Sequence, residues 1–215
     1  MRNAKIAVPF LALAVSACGG GPRPIYEPLP PERMAHDMPR PPAVKPSIPN
    51  RTPGVVAAAP IPQALAGPLT VAKVEPYMDA LEMDLRRHVH ARGIVTARQG
   101  DVIDIVIVNG LLFTADGGVA GAEVLEPLAA ILRGYAHTAV AVNGYTDTAG
   151  APERNLAVSQ KRARLIADAL IHEGVPSGRV SAQGFGETRL RVRTGDDRSE
   201  PRNRRIEILL RPMPG

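Results

Sequence analysis

Tryptophan is absent, phenylalanine occurs three times and tyrosine four, so aromatic residues make up only 3% of the 215-residue chain. A surface that stacks bases needs an aromatic platform, and this chain supplies little for one. Nucleic acid is therefore not expected as a partner, although the formal net charge is +5 and arginines crowd the C-terminal part at Arg189, Arg191, Arg193, Arg202, Arg204 and Arg205. Such a balance favours anionic partners in general, acidic lipid and cell-wall carboxylates among them, without choosing one. A lone cysteine excludes an internal disulfide. The five histidines make no metal-ligand motif, since His88 and His90 at two-residue spacing cannot face one ligand from a helix. Neither a metal nor a cofactor is expected. The glycines lack the lysine and spacing of a phosphate-binding loop. Ser159 has no identifiable His–Asp relay, and no carboxylate pair stands out at glycosidase spacing, so no enzyme is expected.

What is present is unevenly spread. Most of the 22 prolines fall between Pro22 and Pro68, in a stretch without sustained apolar periodicity that cannot offset the entropy of ordering. Before it, Arg2 and Lys5 precede an apolar run from Ile6 to Val15 that is too short for a comfortable membrane span. Residues 1–17 read as an export signal. Val15-Ser16-Ala17-Cys18 resembles a bacterial lipoprotein signal, which implies cleavage before Cys18, a diacylglycerol on its sulfur and membrane attachment through it. Gly19 next to it resembles outer-membrane sorting. Residues 18–68 then form a lipidated N-terminus and Pro-rich linker; at a polyproline rise of about 3.1 Å per residue it reaches on the order of 100 Å.

From about Val71 the pattern changes. Val74, Tyr77, Met78, Leu81, Leu85 and Val89 recur at helical spacing, predicting an amphipathic helix over 74–91 with Pro76 near its first turn. Ile94–Arg98 and Val102–Val108 predict a hairpin across Gly100-Asp101. Asn109–Gly121 reads as an irregular connection, and Ala122–Arg133 as a helix stopped by Gly134. Thr138–Gly144 predicts a strand, 153–173 a helix broken by Gly174 and Pro176, Arg179–Gly184 a strand, and Ile206, Ile208 and Leu210 a final one. The sum is a compact layered α/β domain.

Two segments carry the most information: Val142-Asn143-Gly144-Tyr145-Thr146-Asp147-Thr148-Ala149-Gly150, and Asn155-Leu156-Ala157-Val158-Ser159-Gln160-Lys161-Arg162-Ala163. Gly184-Phe185-Gly186-Glu187 and Asn203-Arg204-Arg205-Ile206-Glu207 follow at separated positions. In order and spacing these segments resemble the OmpA-like C-terminal peptidoglycan-binding domain, over about residues 101–211. The resemblance implies an OmpA-like layered α/β sandwich with a mixed sheet at 101–215, preceded by a helix-and-strand extension at 69–100 and the disordered Pro-rich tether. It also implies a noncovalent grip on the meso-diaminopimelate of a peptidoglycan stem peptide, with Asp147 and Arg162 as the primary ligand pair. Tyr145, where histidine is frequent, and the stretch Thr194-Gly195-Asp196-Asp197-Arg198-Ser199-Glu200-Pro201 depart from the commonest family form.

The chemistry of that pair stands beside the resemblance. Diaminopimelate presents an ammonium and a carboxylate; Asp147 can accept from the first, and the guanidinium fork of Arg162 can clamp the second. Asn155 either caps the following helix or orients the ligand loop. Thr146 and Thr148 supply hydroxyl contacts or stabilise the turn. Asn203 and Arg204 approach or brace the pocket, and Arg205 pairs with an acidic group. Gly144 and Gly150 shape close turns. The expected role is tethering of the outer membrane to the wall from the periplasmic side, or positioning of a larger envelope or secretion complex by the same contact.

Overall fold

The computed structural model describes residues 67–213. The export signal at 1–17, Cys18 and all but the last two residues of the 18–68 linker lie outside the described residues.

Helix α1 (Val71–His88) opens the fold, three residues earlier than its apolar stripe predicts. Leu69 is buried just ahead of it, and Lys73 N–H closes a tight first turn on the Thr70 carbonyl at 2.9 Å. This anchor carries the helix start upstream and leaves Pro76 inside the helix. Val74, Tyr77, Met78, Leu81 and Leu85 form its buried stripe. The helix also stops earlier than predicted, so His90 belongs to the loop beyond it. His88 and His90 therefore share the wall of a cavity with Glu123, but among the described residues no three His, Cys, Asp or Glu side chains are grouped to hold a metal ion. No helix among them is long and apolar enough to cross a membrane.

Strands β1 (Ile94–Gln99) and β2 (Val102–Val108) form the predicted antiparallel hairpin. A short 3-10 turn at Asn109–Leu111 and a single bridge between Phe113 and Val119 organise the connection to α2 (Ala122–Gly134). Then come β3 (Thr138–Tyr145), α3 (Pro152–His172), β4 (Val180–Gly184) and β5 (Arg205–Pro212). The sheet order is β1-β2-β5-β3-β4. Only β3 and β4 run parallel, joined by the α3 crossover; the last strand inserts antiparallel between β2 and β3. Among the described residues the fold is thus a mixed α/β sheet of OmpA-like topology with three α-helices.

Period-two alternation decides which face is covered. Ile103, Ile105 and Ile107 of β2, Ile206, Ile208 and Leu210 of β5, and Val140 and Val142 of β3 are buried in one cluster with the helices' apolar stripes. Tyr77 ties α1 into that core: its hydroxyl pairs with Thr138 Oγ1 at 2.9 Å and accepts the His137 N–H at 3.1 Å.

The opposite sheet face carries Asp104, whose Oδ1 is buried without a hydrogen-bond partner. Burial, and then the neighbouring Glu207 carboxylate, push this carboxyl up to about 6. An unfolded aspartate ionises near pH 4. Between about pH 4 and 6 the folded protein therefore keeps a proton that the unfolded chain has released, and stability falls as pH rises through that window; above it the penalty is constant. Asp104→Asn should remove this slope and raise stability at pH 7 by roughly 1–2 kcal/mol, allowing for solvent screening on a partly exposed group. Thermal melts at stepped pH check it: parallel curves for both proteins contradict the assignment.

Candidate functional site

The site is assembled where β3 ends and α3 begins, and two glycines set the distance between them. Gly144 and Gly184 are register partners on β3 and β4. A Cβ on Gly144 would lie 2.3 Å from the Ser159 carbonyl oxygen, and one on Gly184 2.3 Å from the Gln160 nitrogen. Gly144 is thus not a turn former, as its sequence context suggests, but a strand residue whose missing side chain lets α3 lie against the sheet. Gly150, at φ +89°, does take the turn role. The seam is locked by hydrogen bonds. Gln160 Oε1 accepts the Gly184 N–H at 2.7 Å, and Ser159 Oγ accepts the Gly186 N–H at 2.8 Å while donating to the Leu156 carbonyl. Ser159 is fully buried and spent on packing, which leaves it no nucleophilic use.

Asp147 follows β3 directly and is buried. Its Oδ2 accepts the Glu200 backbone N–H at 3.0 Å and Arg204 Nη1 at 2.5 Å; both bonds fall on one carboxylate oxygen. Arg162 comes from α3 and stands half-buried, its guanidinium 5.6 Å above the centre of the Phe113 ring. It makes no ion pair among the described residues. Burial lowers the affinity of Arg162 for its proton, the nearby Arg204 cation lowers it further, and Asp147 acts the other way. Asp147, Arg162 and Arg204 therefore share one electrostatic neighbourhood of two cations and one anion, in which the anion is already paired with Arg204.

The other expected residues divide. Thr148 is committed to the fold: its hydroxyl donates to the Gly195 carbonyl at 2.7 Å and accepts the Arg198 N–H at 3.1 Å. Beside it, the Gly150 N–H reaches Asp197 Oδ1 at 3.1 Å. The departing stretch 194–201 is thus a clasp laid over the Asp147 turn. Asn155 does not cap α3, whose N-cap is Ala151 with no side-chain bond. It sits within the first turn, and its amide nitrogen donates to the Asp147 and Ala149 carbonyls and to Glu187 Oε2, the last at 2.6 Å. Its amide thus holds the Asp147–Ala149 turn and not the helix end. Asn203 is fully buried, exchanging hydrogen bonds with the backbone N–H and carbonyl of Val192. Its side chain thereby ties the segment before β5 to the loop at Val192. Arg205 pairs with Glu207 at 2.7 Å, under the ring of Tyr145. Thr146 remains distinct: its hydroxyl is buried with no partner.

Sequence reasoning missed Phe113, Glu187 and the Glu200 backbone. Phe113 follows Leu111 and Leu112 in the connection, so its apolar context reads as core and carries no signal that its ring lies under a guanidinium. Glu200 enters through its main chain, which no side-chain pattern announces.

Residues 119–204 match the model of the OmpA family. The chain is 36% identical over 140 residues to the probable lipoprotein YiaD of Escherichia coli, covering 64% of each. It is 30% identical over 111 residues to the peptidoglycan-binding protein ArfA of Mycobacterium tuberculosis, covering 50% of this chain and 34% of that protein. The chain thus spans under two thirds of the length of these curated relatives. Among solved structures it resembles the cell wall anchor of the T6SS from Pseudomonas aeruginosa, with TM-score 0.53 and 27% identity over 61% of this chain and 96% of that one. A mixed sheet in this strand order, the Asp147 and Arg162 segments in family order and these similarities together place an OmpA-like domain in the described part of the chain.

Proposed function

We propose that the domain binds diaminopimelate-containing peptidoglycan noncovalently and so tethers the outer membrane to the cell wall. One observation carries this reading: a half-buried Arg162 guanidinium, without a carboxylate of its own, stands beside a buried Asp147 whose two bonds fall on a single oxygen. An unpaired, partly desolvated guanidinium seeks a planar anion, and the remaining lone pairs of Asp147 suit an ammonium. A ligand carrying both groups neutralises what the protein leaves open at each end. The domain binds and does not cut: Ser159, the hydroxyl nearest the site's helix seam, is locked in packing by its bonds to Leu156 and Gly186.

The names of the relatives support the wall as the target, since one is a peptidoglycan-binding protein and another a probable lipoprotein. In this reading residues 1–17 are removed, Cys18 carries the lipid, residues 18–68 span toward the wall, and the folded domain works in the periplasm. Two or more acyl chains give stable attachment where one is marginal. Co-sedimentation with purified sacculi tests the proposal. The chain should pellet with sacculi containing diaminopimelate and stay largely soluble with sacculi containing lysine at the third stem position; equal pelleting with both rejects the assigned ligand.

Similarity to a secretion-system wall anchor favours a second reading, in which the same contact positions a larger envelope assembly. Val71 and Met83 on α1 are exposed apolar residues available to such a partner. Crosslinking in intact envelopes separates the two, since simple tethering yields only peptidoglycan and lipid adducts.

A further inference from the structure

The two edges of the sheet are finished differently. At the β4 edge the Gln160 carboxamide meets two main-chain groups of the strand: its Oε1 accepts the Gly184 N–H at 2.7 Å and its Nε2 donates to the Ala182 carbonyl at 3.4 Å. A side chain from α3 thus stands where a further strand would lie. Open edges invite pairing with another chain, and this one is closed.

The β1 edge is open. The Val108 N–H reaches the Gly93 carbonyl at 3.1 Å, in the register that sets Ile94 opposite Ile107. Alternate residues of an antiparallel strand bond to the same neighbour, so Val95, Ala97 and Gln99 bond to β2, while Ile94, Thr96 and Arg98 turn their main-chain groups outward. Two of these groups are satisfied: the Ile94 N–H by the Ala91 carbonyl at 3.1 Å, and the Thr96 carbonyl by Arg86 Nη2 at 3.3 Å. Among the described residues the Ile94 carbonyl, the Thr96 N–H and both main-chain groups of Arg98 have no partner. The strand contains no proline, its register with β2 is unbroken, and Val95 is 50% exposed.

We infer that β1 pairs with β1 of a second copy of this chain, antiparallel about Thr96, and joins two five-stranded sheets into one. The free groups choose this occupant and this register. With Thr96 opposite itself, Ile94 falls opposite Arg98, and each Arg98 N–H meets an Ile94 carbonyl that also lacks a partner. Each Thr96 N–H meets a Thr96 carbonyl, which has a second lone pair beside the one given to Arg86. On the face away from the helices Val95 falls beside Ala97, at the closer spacing of a non-hydrogen-bonded pair. Arg86 arrives with Glu82 at 2.7 Å and Arg98 with Asp79, so the two-fold axis gathers neutral pairs and not bare cations. One strand pair covers less than the roughly 1,200 Å² of a standard interface. The association therefore belongs to copies at high local concentration, as on one membrane in the lipid-anchored reading. Because the strands run antiparallel, the two Asp147–Arg162 sites lie toward opposite ends of the joined sheet.

The test is disulfide trapping of the whole chain in intact envelopes. Val95→Cys with Ala97→Cys places facing thiols across the pair, and Ser181→Cys with Gln183→Cys places thiols on the β4 edge that Gln160 guards. Mild oxidation should convert most of the first variant to a covalent dimer and leave the second at the level of the unmodified chain, which carries only Cys18. Adding Thr96→Pro to the first variant should return it to that level, since proline removes an outward N–H and none of the β2 ladder. A second arm needs no substitution: hydrogen exchange at the Thr96 and Arg98 amides of the chain in liposomes should slow as the protein-to-lipid ratio rises. Equal trapping at both edges overturns the inference, as does exchange independent of that ratio. A dimer that survives Thr96→Pro in a chain of unchanged melting temperature overturns it too. Protection of these amides in envelopes without a trapped dimer gives the edge to a different protein and overturns the second copy.

Discussion

Replacing Arg162 with alanine should abolish retention on sacculi while leaving the fold at least as stable as before. Truncating one partner of a desolvated charge contact costs about 2–5 kcal/mol, or roughly 30- to several-thousand-fold in affinity. Stability behaves otherwise, because Arg162 has no ion pair to lose and its cation is disfavoured by burial and by Arg204; only its packing on Phe113 disappears. Asp147→Ala should lose binding as severely and stability as well. It strands the Glu200 N–H, at about 1–3 kcal/mol for a buried donor left unpaired, and removes the Arg204 ion pair, a smaller loss because that side chain is 36% exposed and keeps Ser199 Oγ. Sacculus co-sedimentation paired with thermal melts reads both effects. A fully folded Arg162→Ala variant that still pellets with sacculi is incompatible with its role.

The second large effect is structural. Gly144→Ala or Gly184→Ala should destabilise the domain by about 3 kcal/mol, in the range of overpacked cores. At each site the new Cβ would meet the backbone of α3 at 2.3 Å, and backbone, unlike the tip of a flexible side chain, cannot step aside. Relief requires moving α3 off the sheet, which carries Arg162 away from Asp147. Binding should therefore weaken even in molecules that remain folded. Gly195→Ala is the control: a Cβ there meets nothing within 4 Å, so denaturant unfolding of that variant should track the parent. A tolerated Gly144→Ala would mean that the seam is looser than its geometry implies.

Much of the fold was legible because burial here follows simple periods. Alternation along Val102–Val108 and Ile206–Leu210 gave β2 and β5, and the stripe through Ile166 and Leu170 gave α3, since one covered sheet face demands those patterns. The ends of α1 were misplaced because Leu69 anchors the start from outside the periodic stripe and because Val89 is buried at the helix exit without being helical. At the site, Asp147 and Arg162 stood out as side chains of complementary charge in a recognisable order. The roles of Asn155, Thr148 and Asn203 did not, because each depends on main-chain partners 6 to 50 residues away. Side-chain chemistry can be read along a chain; which carbonyl it will meet depends on the loops that fold over it.

In the proposed complex one zwitterionic end group is held by Asp147 at its ammonium and by Arg162 at its carboxylate. The most direct measurement is a four-way titration, in which the Asp147→Asn and Arg162→Ala variants are each measured against stem peptides bearing diaminopimelate and against the same peptides bearing lysine, which keeps the ammonium and lacks the carboxylate. The account predicts that Arg162→Ala weakens only the diaminopimelate peptide, collapsing its advantage over lysine, whereas Asp147→Asn weakens both. If Arg162→Ala weakens the two peptides equally, the guanidinium does not hold that carboxylate, and the account is wrong.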